Sequence, residues 1–451
     1  MVDTLFFYRL FLFIYDIIWN WDVMKVKSKM SFLSIIILMT MCSCGDIKGS
    51  WVDIDATQSN IKTTVNTTVA PFNTVMSLKY FINEDNDENK EEIIKSVTSL
   101  YDYSVGKYHK LFDRHYYYYE DNGVDIVTNL KTINDSFGTN TPIKCSDELY
   151  ELLKISVEAF ELTNGYFNIF TGALTDYWNY IFSEVDGLVQ FVENYDPYYN
   201  EVSKNTIQKI VDSIPNTKEE IQEQLTFDDE NKTVTFNKLE KNSVTPLISL
   251  GGVAKGFATD LLKDLLVSNE YKDGYLFSGG SSISSLSTPI FTKKNKGQNI
   301  SVIDPIKSGY MNSVKAFSLK FSEEFNFSTS GNYTSGKSYS FVVNDELINR
   351  HHIINPFTGY PESYYTSVSI STNNLSNAFV DILSTALMNV DIEKGKIIRN
   401  NVLSRFPDAT LDVYYLIQTL KDDSITSSLY ATSDNDGTLE VGEGIKVTYE
   451  E

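Results

Sequence analysis

Apolar positions recur along this chain with two different periods, and the periods divide it into helices and strands. Across residues 88–112 they fall at Ile93, Val97, Leu100, Tyr101, Tyr108, Leu111 and Phe112, a helical stripe. Ser146 suits an N-cap, with Asp147 and Glu148 in the first turn. The helix that follows buries Leu149, Leu152, Leu153, Val157 and Phe160, and Asn164-Gly165 closes it as a left-handed cap would. A third stripe runs through Ala254, Phe257, Ala258, Leu261, Leu262 and Leu265. A fourth, over residues 377–390, buries Phe379, Ile382, Leu383, Ala386 and Val390. A short helix is expected near residues 218–225.

Strand-like runs cover residues 71–82, 233–236, 245–250, 275–278, 314–321, 339–343, 367–371 and 411–416. Ser278-Gly279-Gly280-Ser281-Ser282 reads as a tight turn. No period marks a repeat protein, and no clean linker follows residue 70. Residues 71–451 therefore read as one mixed α+β domain.

The first 70 residues follow another logic. Lys25, Lys27 and Lys29 precede an apolar run over residues 31–41, and Cys42-Ser43-Cys44-Gly45 follows. This is the charged, apolar, small-residue order of a secretory signal, too short for a comfortable membrane span. A cysteine straight after the apolar run resembles a bacterial lipobox. Cys44 is the better lipid acceptor because small Ser43 precedes it; Cys42 follows Met41. The chain is thus expected to be lipid-anchored on the extracytoplasmic side of the cell membrane, an uncleaved anchor being the alternative. Residues 1–23 read as an over-called start, with Met24 the initiator. Residues 45–70, rich in Thr, Asn, Asp and Ser, read as a flexible tether.

Composition narrows the partners. The 451 residues carry a formal net charge of -22, which argues against nucleic acid and against a polybasic membrane patch. An acidic protein that handles a polyphosphate needs a cation. Of three cysteines, Cys145 stands alone, so no disulfide framework is visible. The four histidines, His109, His115, His351 and His352, limit any imidazole mechanism to few candidates.

Four stretches carry candidate chemistry. In Leu250-Gly251-Gly252-Val253-Ala254-Lys255-Gly256 a glycine turn opens a helix. Free backbone N–H groups and a helix dipole there suit a phosphate, although plain packing explains such a turn as well. It is not a Walker loop, since Lys255 precedes Gly256 and no Ser or Thr follows the lysine. Asp381 and Thr385 lie four apart on one helix face, two hard oxygen ligands of the kind Mg²⁺ takes, or else a solvated face. His351-His352 precede a Pro/Gly turn at Asn355 to Gly359, where a general base, a metal ligand or mere packing are all open. Ser328-Thr329-Ser330-Gly331 places small hydroxyls beside glycine. The aromatic stretch of residues 166–178 stacks on a flat ring or plugs the core. Tyr116 to Tyr119 pack or border a pocket.

The order of these pieces resembles the ApbE-type bacterial FAD:protein FMN transferases from Pro71 onward. Leu250 to Asp260 resembles that family's Leu-Gly-Gly-Ile-Ala-Lys-Gly block, and Thr329 to Tyr333 its Thr-Ser-Gly-Asp-Tyr, with Asn332 for Asp. His352 to Gly359 resembles His-Ile-Ile-Asp-Pro-x-Thr-Gly, with Asn355 for Asp. Ala378 to Ala386 resembles Ala-x-x-Asp-x-x-x-Thr-Ala, and Thr163 to Asn168 a Thr-x-Gly-x-Phe-Asp loop. Phe72-Asn73-Thr74 stands for Met-Gly-Thr, and Ser249 replaces an acid.

The resemblance implies a largely antiparallel sheet with packed helices and a flavin-transferase domain over residues 71–451. It implies FAD as substrate, held by Thr74, Phe167, Asn168, Gly251, Gly252, Lys255, Ser330, Gly331 and His352. It also implies Mg²⁺ on Asp381, Thr385 and the carbonyl of Ala254, with His352 as base on a Ser or Thr of an acceptor protein such as a membrane redox subunit. Hydrolysis of FAD to FMN and AMP, or flavin binding without chemistry, are the alternatives. No Asp-Ser/Thr-Gly-x-Ser/Thr acceptor motif occurs in this chain, so the acceptor is expected to be another protein.

Overall fold

The computed structural model describes residues 49–56, 61–83, 89–185, 191–287, 297–305, 313–333, 337–344, 346–421 and 424–450. The expected signal, lipid-acceptor cysteines and start at Met24 lie outside them. Among the described residues no helix is long and apolar enough to cross a membrane.

One nine-stranded sheet organises the domain, and its strands lie side by side in chain order. They are β1 (Gly49–Asp55), β2 (Met76–Asn83), β3 (Gly274–Ser278), β4 (Ser282–Ser285) and β5 (Asn326–Gly331). Then come β6 (Ser367–Thr372), β7 (Asp412–Lys421), β8 (Ser424–Ala431) and β9 (Lys446–Tyr449). Every neighbouring pair is antiparallel except β8 with β9. The expected α+β class with a largely antiparallel sheet is what the chain adopts.

Alternation along the strands feeds two cores. Val368, Ile370, Val413 and Tyr415 face the helices. Phe327, Tyr414, Leu416 and Leu429 face a small sheet of Gln298–Ile303, Lys315–Phe321 and Glu440–Val441, which contributes Val302, Phe317 and Leu319. Each face thus excludes water by burying every second residue.

Long insertions hang from this meander. Between β2 and β3 lie α1 (Lys90–Phe112), α2 (Asp147–Leu162), α3 (Gly172–Val185), α4 (Glu201–Ser213) and α5 (Ala254–Ser268). Between β5 and β6 lies the hairpin of Ser338–Val343 and Glu346–His351. Between β6 and β7 lie α6 (Asn377–Leu387) and α7 (Ile392–Arg405). Ser146 caps α2 as expected, accepting from the Leu149 N–H, and Asn164 and Gly165 end it at φ 52° and 81°.

Two expectations are corrected, one open choice is decided and one helix is added. Part of the expected tether is β1, which pairs residue for residue with β2 from Gly49↔Asn83 to Asp55↔Ser77. Its Trp51 packs edge-on against Phe81 at 5.2 Å. The acidic residues hid a strand that covers an otherwise open sheet edge. Residues 245–250 join no sheet: the Asn134 side chain bonds the Ile248 N–H at 2.8 Å and carbonyl at 3.0 Å, taking the place of a neighbouring strand. The aromatic stretch contains α3, with Phe170 and Trp178 fully buried, so it plugs the core. The helix α7 was missed; its weak apolar stripe leaves Gly395, Ile398 and Val402 as its buried positions.

Candidate active site

Helices α5 and α6 cross against the middle of the sheet, and glycine sets the distance. A Cβ on Gly256 would lie 2.2 Å from the Asn377 carbonyl oxygen, so only glycine allows this approach. Asp260, one turn further along α5, receives the Asn377 N–H at 2.8 Å, the Asn377 side-chain amide at 2.9 Å and the Ala378 N–H at 2.9 Å. It caps α6 from outside that helix, in addition to Ser376. Burial, against those hydrogen bonds, pushes the Asp260 carboxyl up to about 6.

This crossing presents Asp381 to a nest of donors. Its Oδ2 accepts the Gly256 N–H at 2.8 Å, while its Oδ1 accepts Ser282 Oγ–H at 2.5 Å and Ser328 Oγ–H at 2.6 Å. The serines come from β4 and β5, which pair directly at Ser282↔Ser328. Ser330, two residues along and so on the same face, pairs with Ser384 Oγ at 2.7 Å, and Ser384 donates to the Asp381 carbonyl at 3.0 Å. Thr259 and Ser278 extend the hydroxyl layer at 2.6 Å. Asp260 ends the block that begins at Leu250, whereas Ser282 and Ser384 carry no motif that marks them beforehand.

The glycine turn closes around this nest. A Cβ on Gly252 would sit 3.0 Å from Thr385 Oγ1 and 3.1 Å from Phe167 Cε2, so three expected site residues meet at one point. A Cβ on Gly279, at φ +69°, would meet Thr74 Oγ1 at 3.0 Å and Lys255 Cδ at 3.2 Å, which joins Thr74 and Lys255 to the same wall. Lys255 Nζ reaches back to the Gly251 carbonyl at 3.4 Å. Gly251 is exposed and open to a ligand.

The histidines divide. His351 is fully buried: its Nε2 donates to the Glu362 carbonyl at 2.9 Å and its Nδ1 accepts the Ile353 N–H at 3.3 Å. Both nitrogens are used, so it is a structural residue, and burial holds it down at about 4. His352 is half-buried, and its Nδ1 has no hydrogen-bond partner. Burial, then the charges of His351, Lys337 and Lys255, push it down to about 3. Asn389 links the two regions, donating to the Ile354 carbonyl at 3.4 Å and to the Thr385 carbonyl at 3.3 Å.

Two residues expected at the flavin have local structural roles. Asn168 donates to the Pro215 carbonyl at 2.9 Å and accepts the Phe170 N–H at 2.9 Å, so both ends of its amide are spent on backbone. Gly331 is a packing glycine, since a Cβ there would lie 2.7 Å from Ser367 Cβ and 2.7 Å from the Thr366 carbonyl oxygen. Asn355 also has a local role: its amide donates to Glu362 Oε1 at 2.8 Å and its oxygen accepts the Phe357 N–H at 2.9 Å. An acid at Asn355 would face the Glu362 carboxylate, which accounts for the amide. Asn332 bonds through its backbone to the Thr366 carbonyl at 2.9 Å, and its side-chain oxygen is buried without a partner.

Among the described residues no group of three or more His, Cys, Asp or Glu side chains converges. A cation here would need a mixed oxygen set. Asp381 has spent three lone pairs on the Gly256 N–H and two serine hydroxyls, and Thr385 Oγ1 stands beside Gly252, so a carboxylate and a hydroxyl are the oxygens available. That donor set suits Mg²⁺ and not a soft metal.

The chain is similar in fold to solved structures of related size. A flavin transferase ApbE from Vibrio cholerae matches with a TM-score of 0.55 at 18% identity, covering 86% of this chain and 99% of that one. A flavinyl transferase ApbE from Pseudomonas stutzeri, in its apo form, matches with 0.54 at 14% identity, covering 88% and 98%. An ApbE protein from Thermotoga maritima matches with 0.50 at 21% identity, covering 81% and 94%. No curated protein sequence matches the chain. The pattern described as the ApbE family matches residues 93–404, well over half the chain and all of the site except Thr74. The protein belongs to the ApbE family.

Proposed function

We propose that this protein transfers the FMN part of FAD to a Ser or Thr hydroxyl of an acceptor protein and releases AMP. The observation that carries the reading is the half-buried imidazole of His352, whose Nδ1 has no partner. A buried polar atom without a partner costs stability, and a proton-accepting role accounts for keeping it. Family membership and the likeness to flavin transferases support it.

In this reading the acceptor hydroxyl oxygen attacks the phosphorus on the FMN side of the pyrophosphate. The new O–P bond forms as the bond to the AMP phosphate breaks, and His352 takes the hydroxyl proton. Lys255 and the exposed N–H groups of the glycine turn orient the pyrophosphate. Thr74 and Phe167 line the approach to it. Asp381, Thr385 and the Ala254 carbonyl would hold Mg²⁺, which supplies positive charge to the pyrophosphate when bound. The neutral imidazole is the form a base requires, and burial keeps it neutral in the free protein.

The same reading places the domain on the extracytoplasmic side of a membrane through lipid on Cys44, within reach of a membrane redox subunit as acceptor. A test is incubation with FAD, Mg²⁺ and a domain carrying Asp-Ser/Thr-Gly-x-Ser/Thr. A mass gain of one FMN on the acceptor, with AMP in solution, is expected. Free FMN and AMP without an adduct would show a hydrolase, and intact FAD would show a binding protein.

A further inference from the structure

The turn before β2 holds a backbone that its side chains resist. Phe72 sits at φ 51°, ψ 18°, and Asn73 follows at φ 52°. Two successive residues with Cβ atoms in the left-handed region are costly, and phenylalanine tolerates it poorly. Such strain persists only where surrounding structure over-determines it.

Local bonds explain part of the hold. The Asn73 N–H donates to the Ala70 carbonyl at 3.0 Å and the Thr74 N–H to the Pro71 carbonyl at 3.1 Å. The Phe72 N–H, at the point of strain, reaches out of the turn to His109 Nδ1 on α1, at 3.0 Å. His109 is 4% exposed. Because Nδ1 accepts, the ring proton lies on Nε2, which donates to the Tyr118 hydroxyl at 3.1 Å. Tyr118 in turn donates to the Asp113 carboxylate. The Phe72 ring closes the clamp, edge-on to His109 at 5.7 Å and tilted against Phe112 at 6.4 Å.

The turn delivers Thr74. The point at which Thr74 Oγ1, Lys255 Cδ and Gly279 converge is one residue beyond the strained pair. The Gly279 N–H donates to the Val75 carbonyl at 2.7 Å, so the same segment also fixes that glycine.

We propose that His109 is a positioning residue for the flavin site: it fastens the strained Phe72–Asn73 turn and thereby sets Thr74 against Lys255 and Gly279. The effect on flavin rests on the flavin-transfer reading, whereas the clamp itself belongs to the free protein. His109 touches no reacting atom. Its function is to supply one acceptor lone pair to the Phe72 N–H, oriented through Tyr118 and Asp113.

The test combines FAD affinity, by flavin fluorescence, with hydrogen exchange at the Phe72 amide. His109→Leu fills the ring's volume without an acceptor. FAD affinity is expected to fall at least tenfold and the Phe72 amide to exchange faster. His109→Asn, which offers an oxygen near the Nδ1 position, is expected within about threefold of the starting protein. Adding Phe72→Gly to His109→Leu should restore affinity, because glycine adopts the left-handed turn unaided. Tyr118→Phe keeps every ring and removes only the hydroxyl that orients the imidazole; an affinity loss of about threefold is expected even if His109→Leu does not fold. Unchanged affinity and exchange in His109→Leu, or in Tyr118→Phe where the former does not fold, would overturn the proposal. So would an affinity loss that neither rescue relieves. Failure of the unaltered protein to bind FAD would instead refute the flavin reading, and the exchange measurement would then decide the clamp alone.

Discussion

Asp381 and His352 belong to one site and are held in opposite ways. The carboxylate receives two serine hydroxyls and a backbone N–H, all from elements brought together by the α5–α6 crossing and the β4–β5 pair. The imidazole has an orphan nitrogen and cationic neighbours that disfavour its protonation. The first is held in place by the protein before any ligand arrives; the second keeps a nitrogen without a partner. Buried polar groups are normally satisfied, so the contrast separates the scaffold of the site from the group expected to act.

The largest effect should come from His352→Ala. Flavin transfer is expected to drop by about 10²- to 10⁴-fold, the usual contribution of a general base, with FAD affinity nearly unchanged. Wild-type transfer by this variant would erase the contrast. Asp381→Ala strands three donors at about 1–3 kcal/mol each, so a stability loss of at least about 3 kcal/mol is expected in denaturant titration, together with loss of activity. A stable Asp381→Ala protein would mean that the nest is not structural.

A smaller effect is the pH dependence of stability. Unfolded imidazoles titrate near 6.5. In the fold His109 and His351 are lowered to about 4 and His352 to about 3, burial being the main cause. The unfolded chain therefore binds more protons between these values, and the stability these groups contribute is complete above about pH 6.5 and lost as pH falls towards 4 and then 3. Asp260, raised to about 6, acts in the opposite sense between about 6 and 3.8. His352→Gln should flatten the lowest part of the fall, and an unchanged stability–pH curve would contradict the burial of that ring. The smallest effect is Asn355→Asp, which sets two carboxylates face to face. A loss of about 1 kcal/mol is expected, recovered by adding Glu362→Gln. No recovery would mean that Glu362 does not explain the amide.

Much of the domain was legible because helical stripes and caps are local. The α2 cap at Ser146, the start of α5 at Ala254 and the core stripe of α6 occur where spacing places them. The site was legible in part. Gly252, Thr385 and Phe167 converge, as do Thr74 and Lys255 at Gly279, while the Asn168 amide bonds backbone and Gly331 permits a close approach to Ser367. Sequence spacing cannot tell an amide aimed at a ligand from one that satisfies the Pro215 carbonyl 47 residues away. The β1 strand was illegible for a related reason, since its acids are tolerated only at a sheet edge.

By itself, the sequence determined the helices, the glycine turn, the pairing of Asp381 with Thr385 on one helix face and the short list of histidines, because each follows from periodicity or residue chemistry within a few positions. Tertiary structure alone decided which histidine is spent on structure and which is left with a free nitrogen. It also decided that serines from two strands complete Asp381, and that a histidine on α1 holds the turn leading to Thr74. Those outcomes depend on partners contributed by distant segments of the chain, and a hydrogen bond is defined by where its partner stands in space.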